Sequence, residues 1–181
     1  MADIGRQLLA GADPGSAFYR SNMARLDAVA DTGALTTQVM TSVPLFLRRG
    51  DTVTNLTFRS GATAASAPTN WWFALYSNAA TPALLAQTAD QGAAAWGATT
   101  TKTLPLSAPV KIVTDGIYWA AVMVKATTAP SLVGVSTTTA APLVGSEVNL
   151  AQTSGAALTS TAPATISGPT VVATVPLCIA T

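Results

Sequence analysis

From about Thr36 onward, apolar and polar positions keep a two-residue rhythm, in short runs rich in Val, Thr, Ile, Leu and aromatics bounded by Gly, Pro, Asn and Asp. Such runs are the mark of strands at sandwich spacing. The pattern predicts strands near 36–47, 52–60, 70–77, 83–88, 100–106, 109–113, 116–126, 131–136 and 170–178, with weaker candidates around 143–150 and 156–166. These last two fall inside a long Ala/Thr/Ser/Gly/Pro stretch. Thr114-Asp115-Gly116 reads as a turn leading into a strong strand.

Neighbouring strand residues point to opposite sides of a sheet, so the alternation also assigns faces. Over 70–77, Trp71, Phe73 and Leu75 share one face, and Trp72, Ala74 and Tyr76 the other. Over 116–126, Tyr118, Ala120, Val122 and Val124 oppose Trp119, Ala121, Met123 and Lys125. The strand 52–60 is simpler, with Leu56 and Phe58 inward and Asn55, Thr57 and Arg59 outward. Two strands therefore carry little charge on either side. If one face packs in the core, the other must be covered by loops, by another subunit or by a ligand, because monomers seldom expose large apolar patches.

The first third of the chain differs. Eleven of its charged residues, from Asp3 to Arg59, precede residue 60. Asp13-Pro14 offers an N-cap followed by proline at the first helical position, and Tyr19, Met23, Leu26 and Ala30 recur at helical spacing. A short amphipathic helix is expected near 14–30, preceded by an extended arm over 1–13. The expected organisation is an arm and helix over 1–34 and a β-sandwich domain over 35–181. The fold class is all-β: an antiparallel β-sandwich, jelly-roll-like, with an N-terminal arm and short helix. An isolated helix of this length is marginal in water, so it docks on a neighbouring subunit or on its own sandwich.

Composition narrows the function. The 181 residues are 49% hydrophobic and 9% charged, well below the roughly 25% charged usual for globular proteins. Apolar stretches such as 117–124 are interrupted short of the roughly 20 residues of a membrane-spanning helix, and the N-terminus lacks the apolar core of a secretory signal. No membrane association is expected. A net charge of +1 without a basic run gives no footprint for nucleic acid. Cys178 stands alone in an apolar run and reads as a small buried hydrophobe.

Catalytic chemistry has little to work with. Histidine is absent, which removes the commonest general base, metal ligand and triad member. No metal, cofactor or catalytic residue is expected. Asp31-Thr32-Gly33 matches the Asp-Thr-Gly signature of aspartic proteases, in which two carboxylates share a proton. A single copy would need a homodimer, and the alternative is a helix-to-strand turn with Gly33 ending the helix. Asp90 and Glu147 are the only carboxylates left for a glycosidase pair, since Asp51 and Asp115 fit turns. No Gly-rich phosphate loop is present. Among Trp71, Trp72, Trp96, Trp119, Tyr76 and Tyr118, most fit a core role. Trp72 and Trp119 fall off the core face and are the candidates to anchor an interface or stack on a glycan.

Across Asn70-Trp71-Trp72-Phe73-Ala74-Leu75-Tyr76, Leu84-Leu85-Ala86-Gln87-Thr88 and Asp115-Gly116-Ile117-Tyr118-Trp119, the chain resembles β-sandwich modules of structural proteins of tailed bacteriophages of actinobacteria. These are capsid decoration proteins, head fibres and minor tail proteins. The resemblance covers residues 36–136 and implies a non-enzymatic component of the virion surface, homo-oligomeric and often trimeric. Its expected partners are the major capsid protein or other virion proteins. In that reading Arg6, Arg20 and Arg25 engage acidic capsid groups, while Leu8, Leu9, Tyr19 and Leu26 supply apolar anchors. The alternative is a carbohydrate- or receptor-binding module of a minor tail or fibre protein.

Overall fold

The computed structural model describes residues 18–181. Its strands are β1 (Arg20–Ser21), β2 (Ala30–Ala34), β3 (Met40–Leu47), β4 (Thr52–Arg59), β5 (Asn70–Tyr76), β6 (Leu84–Gln87), β7 (Thr101–Lys111), β8 (Gly116–Lys125), β9 (Ser131–Ser136), β10 (Gln152–Ser154), β11 (Thr170–Val171), β12 (Thr174–Pro176) and β13 (Cys178–Ala180). They form a four-stranded sheet ordered β1-β13-β4-β7, a six-stranded sheet ordered β11-β10-β3-β8-β5-β6 and a three-stranded sheet ordered β12-β9-β2. Every pairing is antiparallel. A bridge between Ser60 and Leu132 joins the smallest sheet to the end of β4 in the four-stranded one. Pairs are nested: β5 with β6, β4 with β7, β3 with β8 and β1 with β13. That nesting across two facing sheets is the jelly-roll arrangement.

The two larger sheets enclose the main core. Val43, Leu45, Trp71, Phe73, Leu75, Tyr118, Ala120, Val122 and Val124 come from one, and Leu56, Phe58, Cys178 and Ala180 from the other. The alternation in β4, β5 and β8 thus assigns faces as the sequence predicts. Phe58 and Phe73 meet at 4.8 Å between ring centroids, Trp71 and Trp96 at 5.0 Å, and Phe73 and Trp96 at 5.5 Å. Each such pair adds about 0.5–1.5 kcal/mol beyond the area it buries. Cys178 is a buried free thiol, and its burial raises its pKa.

The second face of β5 and β8 is covered by the chain itself. Trp72, Ala74, Tyr76, Trp119, Ala121 and Met123 pack with Met40 beneath Ala162, Ile166, Leu158 and Val148. A third layer, formed by residues 155–169 with Val148, thus lies over the six-stranded sheet. No strand forms over 156–166 or over 143–150, where the pattern predicts weak ones. Polar groups fasten it instead. Trp72 Nε1 donates to Thr159 O at 2.7 Å, Tyr76 Oη to Pro163 O at 2.9 Å and Gln87 Nε2 to Ser160 O at 2.7 Å, while Gln87 Oε1 accepts from the Ala162 N–H. Ala164 O accepts from the Leu84 N–H, and Gln38 O from the Leu158 N–H. Small residues suit this stretch because it must lie flat on aromatic rings.

Several expectations are corrected. Within its described part, the helix near 14–30 is absent: Arg20–Ser21 pairs with β13, Arg25–Asp27 is one 3-10 turn, and Ala30–Ala34 pairs with β9. A narrow apolar stripe stabilises a helix weakly, and two sheet edges offer this segment more hydrogen bonds and burial. The sandwich therefore includes residues ahead of 35. Gly33, at φ 77°, lies inside β2 at the register shift between Asp31 and Ala34, so Asp-Thr-Gly marks a bulge and not a helix end. The strands predicted at 100–106 and 109–113 are one, β7, because Pro105 and Pro109 are tolerated at a sheet edge. The run 170–178 divides among β11, β12 and the start of β13.

Candidate functional site

Among the described residues, all the side-chain carboxylates but that of Asp27 are occupied in holding a loop. Asp51 accepts from the Arg48 N–H at 2.8 Å and from Arg20 Nη2 at 3.0 Å. Asp115 accepts from the Arg49 N–H at 2.6 Å. Asp90 takes the Trp71 N–H at 2.9 Å and Asn70 Nδ2 at 2.6 Å, and Glu147 takes the Leu143 N–H at 2.8 Å. Asp90 and Glu147 thus cap different loops and form no acid–base pair. Among the described residues no three His, Cys, Asp or Glu side chains gather as a metal site, and no helix is long and apolar enough to cross a membrane.

Asp31 likewise ties β2 to the neighbouring loop. Its carboxylate accepts from the Ser131 hydroxyl and from the Ala62 N–H, and these bonds hold its pKa below the ordinary 3.8. Folding is therefore favoured by this group above about pH 4, and the contribution disappears as pH falls through the depressed folded value. Asp31→Asn should lower the urea midpoint at pH 7, with the gap to wild type closing below pH 4. A gap that stays constant down to acid pH would refute the ionic part of this account.

The two tryptophans singled out from sequence do leave the main core face, yet neither is exposed. Trp72 is 0% exposed, with its indole N–H satisfied by the third layer. It is a core residue, and its assignment as an exposed glycan or interface contact is withdrawn. Trp119 is 7% exposed and forms part of the floor of a cleft of about 500 Å³. The walls of that cleft are the Asn78–Pro82 loop, the start of β8 at Gly116 and Ile117, and Val148, Gln152 and Ile166–Pro169 of the third layer and β10.

Beyond Ile117 and Val148 lies a second depression of about 480 Å³, lined by Pro44, Phe46, Thr139, Ala141, Leu143, Leu150 and, from the N-terminal side, Ser21 and Asn22. Phe46 is 50% exposed, Leu143 72% and Leu150 43%. Sequence reasoning missed this groove. Phe46 occupies the outward position of an apolar strand, and Leu143 and Leu150 sit in a segment read as weak strand, so nothing in the pattern brings them together.

Among the N-terminal docking candidates, Arg6, Leu8 and Leu9 lie outside the described residues. Arg20 is engaged within the domain, bonded to Asp51 and set 5.2 Å from the Phe18 ring centroid, with its side chain still 34% exposed. Tyr19 is half-buried and has contacts of its own, whereas Arg25 and Leu26 in the 3-10 turn face solvent. Searches against protein-family models and curated proteins found no match for this chain.

Proposed function

We propose that the chain is a non-enzymatic, self-assembling component of a bacteriophage virion surface, of the capsid decoration type. The observation that carries this reading is the groove at Phe46, Leu143 and Leu150, where three exposed large apolar side chains gather at one concave site. Its occupant in this reading is a second copy of the chain. The one acidic lining residue, Glu147, accepts from the Leu143 and Val144 N–H groups through Oε2, so in this reading it stays at the wet rim while the apolar side chains are covered. The second face of β5 and β8 no longer supports assembly, because the third layer covers it. The jelly roll is compatible with capsid and lectin roles alike and chooses neither.

Sedimentation analysis of the full chain should give a closed homo-oligomer, a trimer by the resemblance. Phe46→Asp and Leu143→Asp should each convert it to single chains. Both side chains are exposed, so the intrinsic stability of the single chain should change by no more than about 0.5 kcal/mol. A wild-type chain that sediments as a monomer defeats the assembly reading. For the virion itself, a copy number matching the capsid lattice supports decoration, and a few copies per particle support the tail or fibre alternative.

A further inference from the structure

The cleft over Trp119 holds two buried side chains with unused donors. Three of the four indoles spend their N–H on the protein: Trp71 Nε1 on Ala94 O at 2.8 Å, Trp72 Nε1 on Thr159 O at 2.7 Å and Trp96 Nε1 on Thr100 O at 3.1 Å. Trp119 Nε1 has no partner among the described residues. Gln152, 3% exposed, accepts from Asn149 Nδ2 at 2.7 Å through Oε1, while its Nε2 donates to nothing. Among the described residues, only Ser42 Oγ and Ser154 Oγ are both unpartnered and sealed from solvent, so the two nitrogens keep some access to solvent, and both residues line the cleft. Donors with access to solvent are left to water, which a ligand's acceptors can displace. Two left open at one concave site are placed for acceptors brought by a ligand.

We infer that this cleft binds a neutral saccharide of one or two rings. The lining carries no ionised side chain, so nothing there compensates the desolvation of a phosphate or carboxylate. Trp119 Nε1 and Gln152 Nε2 present N–H donors to sugar oxygens. Thr81, Ser167 and the exposed Asn78 amide supply groups that both donate and accept at the rim. Ile117, Val148, Ile166, Pro82 and Pro169 offer an apolar wall for the C–H face of a ring. The volume, about 500 Å³, lies within the range of small-ligand sites. Trp119 is too deeply set to act as an open stacking platform, and its part is to donate. The site adjoins the groove at Phe46, sharing Ile117 and Val148 with it, and its argument does not rest on any virion role.

The test is titration of the ¹⁵N-labelled full chain with D-glucose, D-galactose, D-mannose, N-acetyl-D-glucosamine and their β-linked disaccharides over the millimolar range. The Trp119 indole signal is assigned by its loss in Trp119→Phe, which keeps an aromatic ring and removes the N–H. At least one sugar should shift that signal saturably and leave those of Trp71, Trp72 and Trp96 in place. Trp119→Phe and Gln152→Ala should each weaken the same sugar about 2- to 10-fold, the loss of one neutral hydrogen bond. Backbone spectra of the variants report whether the fold is kept, and Gln152→Glu provides a near-isosteric second variant that also removes the donor. An unmoved Trp119 signal with every sugar overturns the inference. So does a shift produced by a neutral peptide such as Ala-Ala-Ala-amide and by none of the sugars, which would make this a peptide site.

Discussion

Trp72→Ala should destabilise the protein by about 3–5 kcal/mol, read as a lower urea midpoint, and should increase binding of a hydrophobic dye at neutral pH. The ring is fully buried between the six-stranded sheet and the third layer, and its N–H holds Thr159 O. Truncation opens a cavity and also leaves that carbonyl without its donor. By pattern alone the same substitution would serve as a mild probe of a surface contact. A variant as stable as wild type would mean that the third layer can be lifted at little cost, and the account of the second core would then fail.

The next largest effect is expected at Gly134. It lies in the middle of β9, paired to Ala30 on one side and Pro176 on the other. A Cβ at this position would collide with the Val175 carbonyl oxygen and stand 2.8 Å from Pro176 Cα and 3.0 Å from Thr32 Cγ2. Two of these three obstacles are backbone, which cannot turn aside as a long side chain can. Gly134→Ala should therefore cost at least the ~1–3 kcal/mol of overpacking, with a lower thermal midpoint. Gly145→Ala is the matched control, since a Cβ there meets nothing within 4 Å. Equal midpoints for the two variants would show that β12 moves away freely.

The faces of β4, β5 and β8 were legible in the sequence because each strand is long enough for its alternation to outweigh local irregularities. β1 was not legible. It is two residues long, and its partner, Ala180, lies 160 residues away by number, so no local signal announces it. The third layer was hidden for a different reason: Leu158, Ala162 and Ile166 recur every four residues, a spacing that one face of a strand would also give, yet the segment joins no ladder and is held by side chains of distant strands. The candidate site was half visible. Trp119 falls on the second face by parity, whereas Gln152 and Asn78 reach the same cleft only because β10 pairs with β3 and the β5–β6 loop folds back over β8. Charge counting identified the carboxylates correctly as scarce but could not tell that Asp31, Asp51, Asp90, Asp115 and Glu147 each brace a loop.

The position of β13 governs the order in which this molecule can be made. It is an interior strand of the four-stranded sheet, seated between β1 and β4, and the Thr181 carbonyl oxygen takes the N–H groups of both Thr54 and Asn55. During synthesis the β5–β6 hairpin can close early, and β4 can find β7 once residue 111 has emerged. Until Cys178–Ala180 leaves the ribosome, however, the free edge of β4 and the side of Leu56 and Phe58 that meets Cys178 and Ala180 stay uncovered. Strands with open edges and distant partners are the slow, aggregation-exposed stage of folding. A nascent chain halted before residue 178 is thus the form most in need of a chaperone.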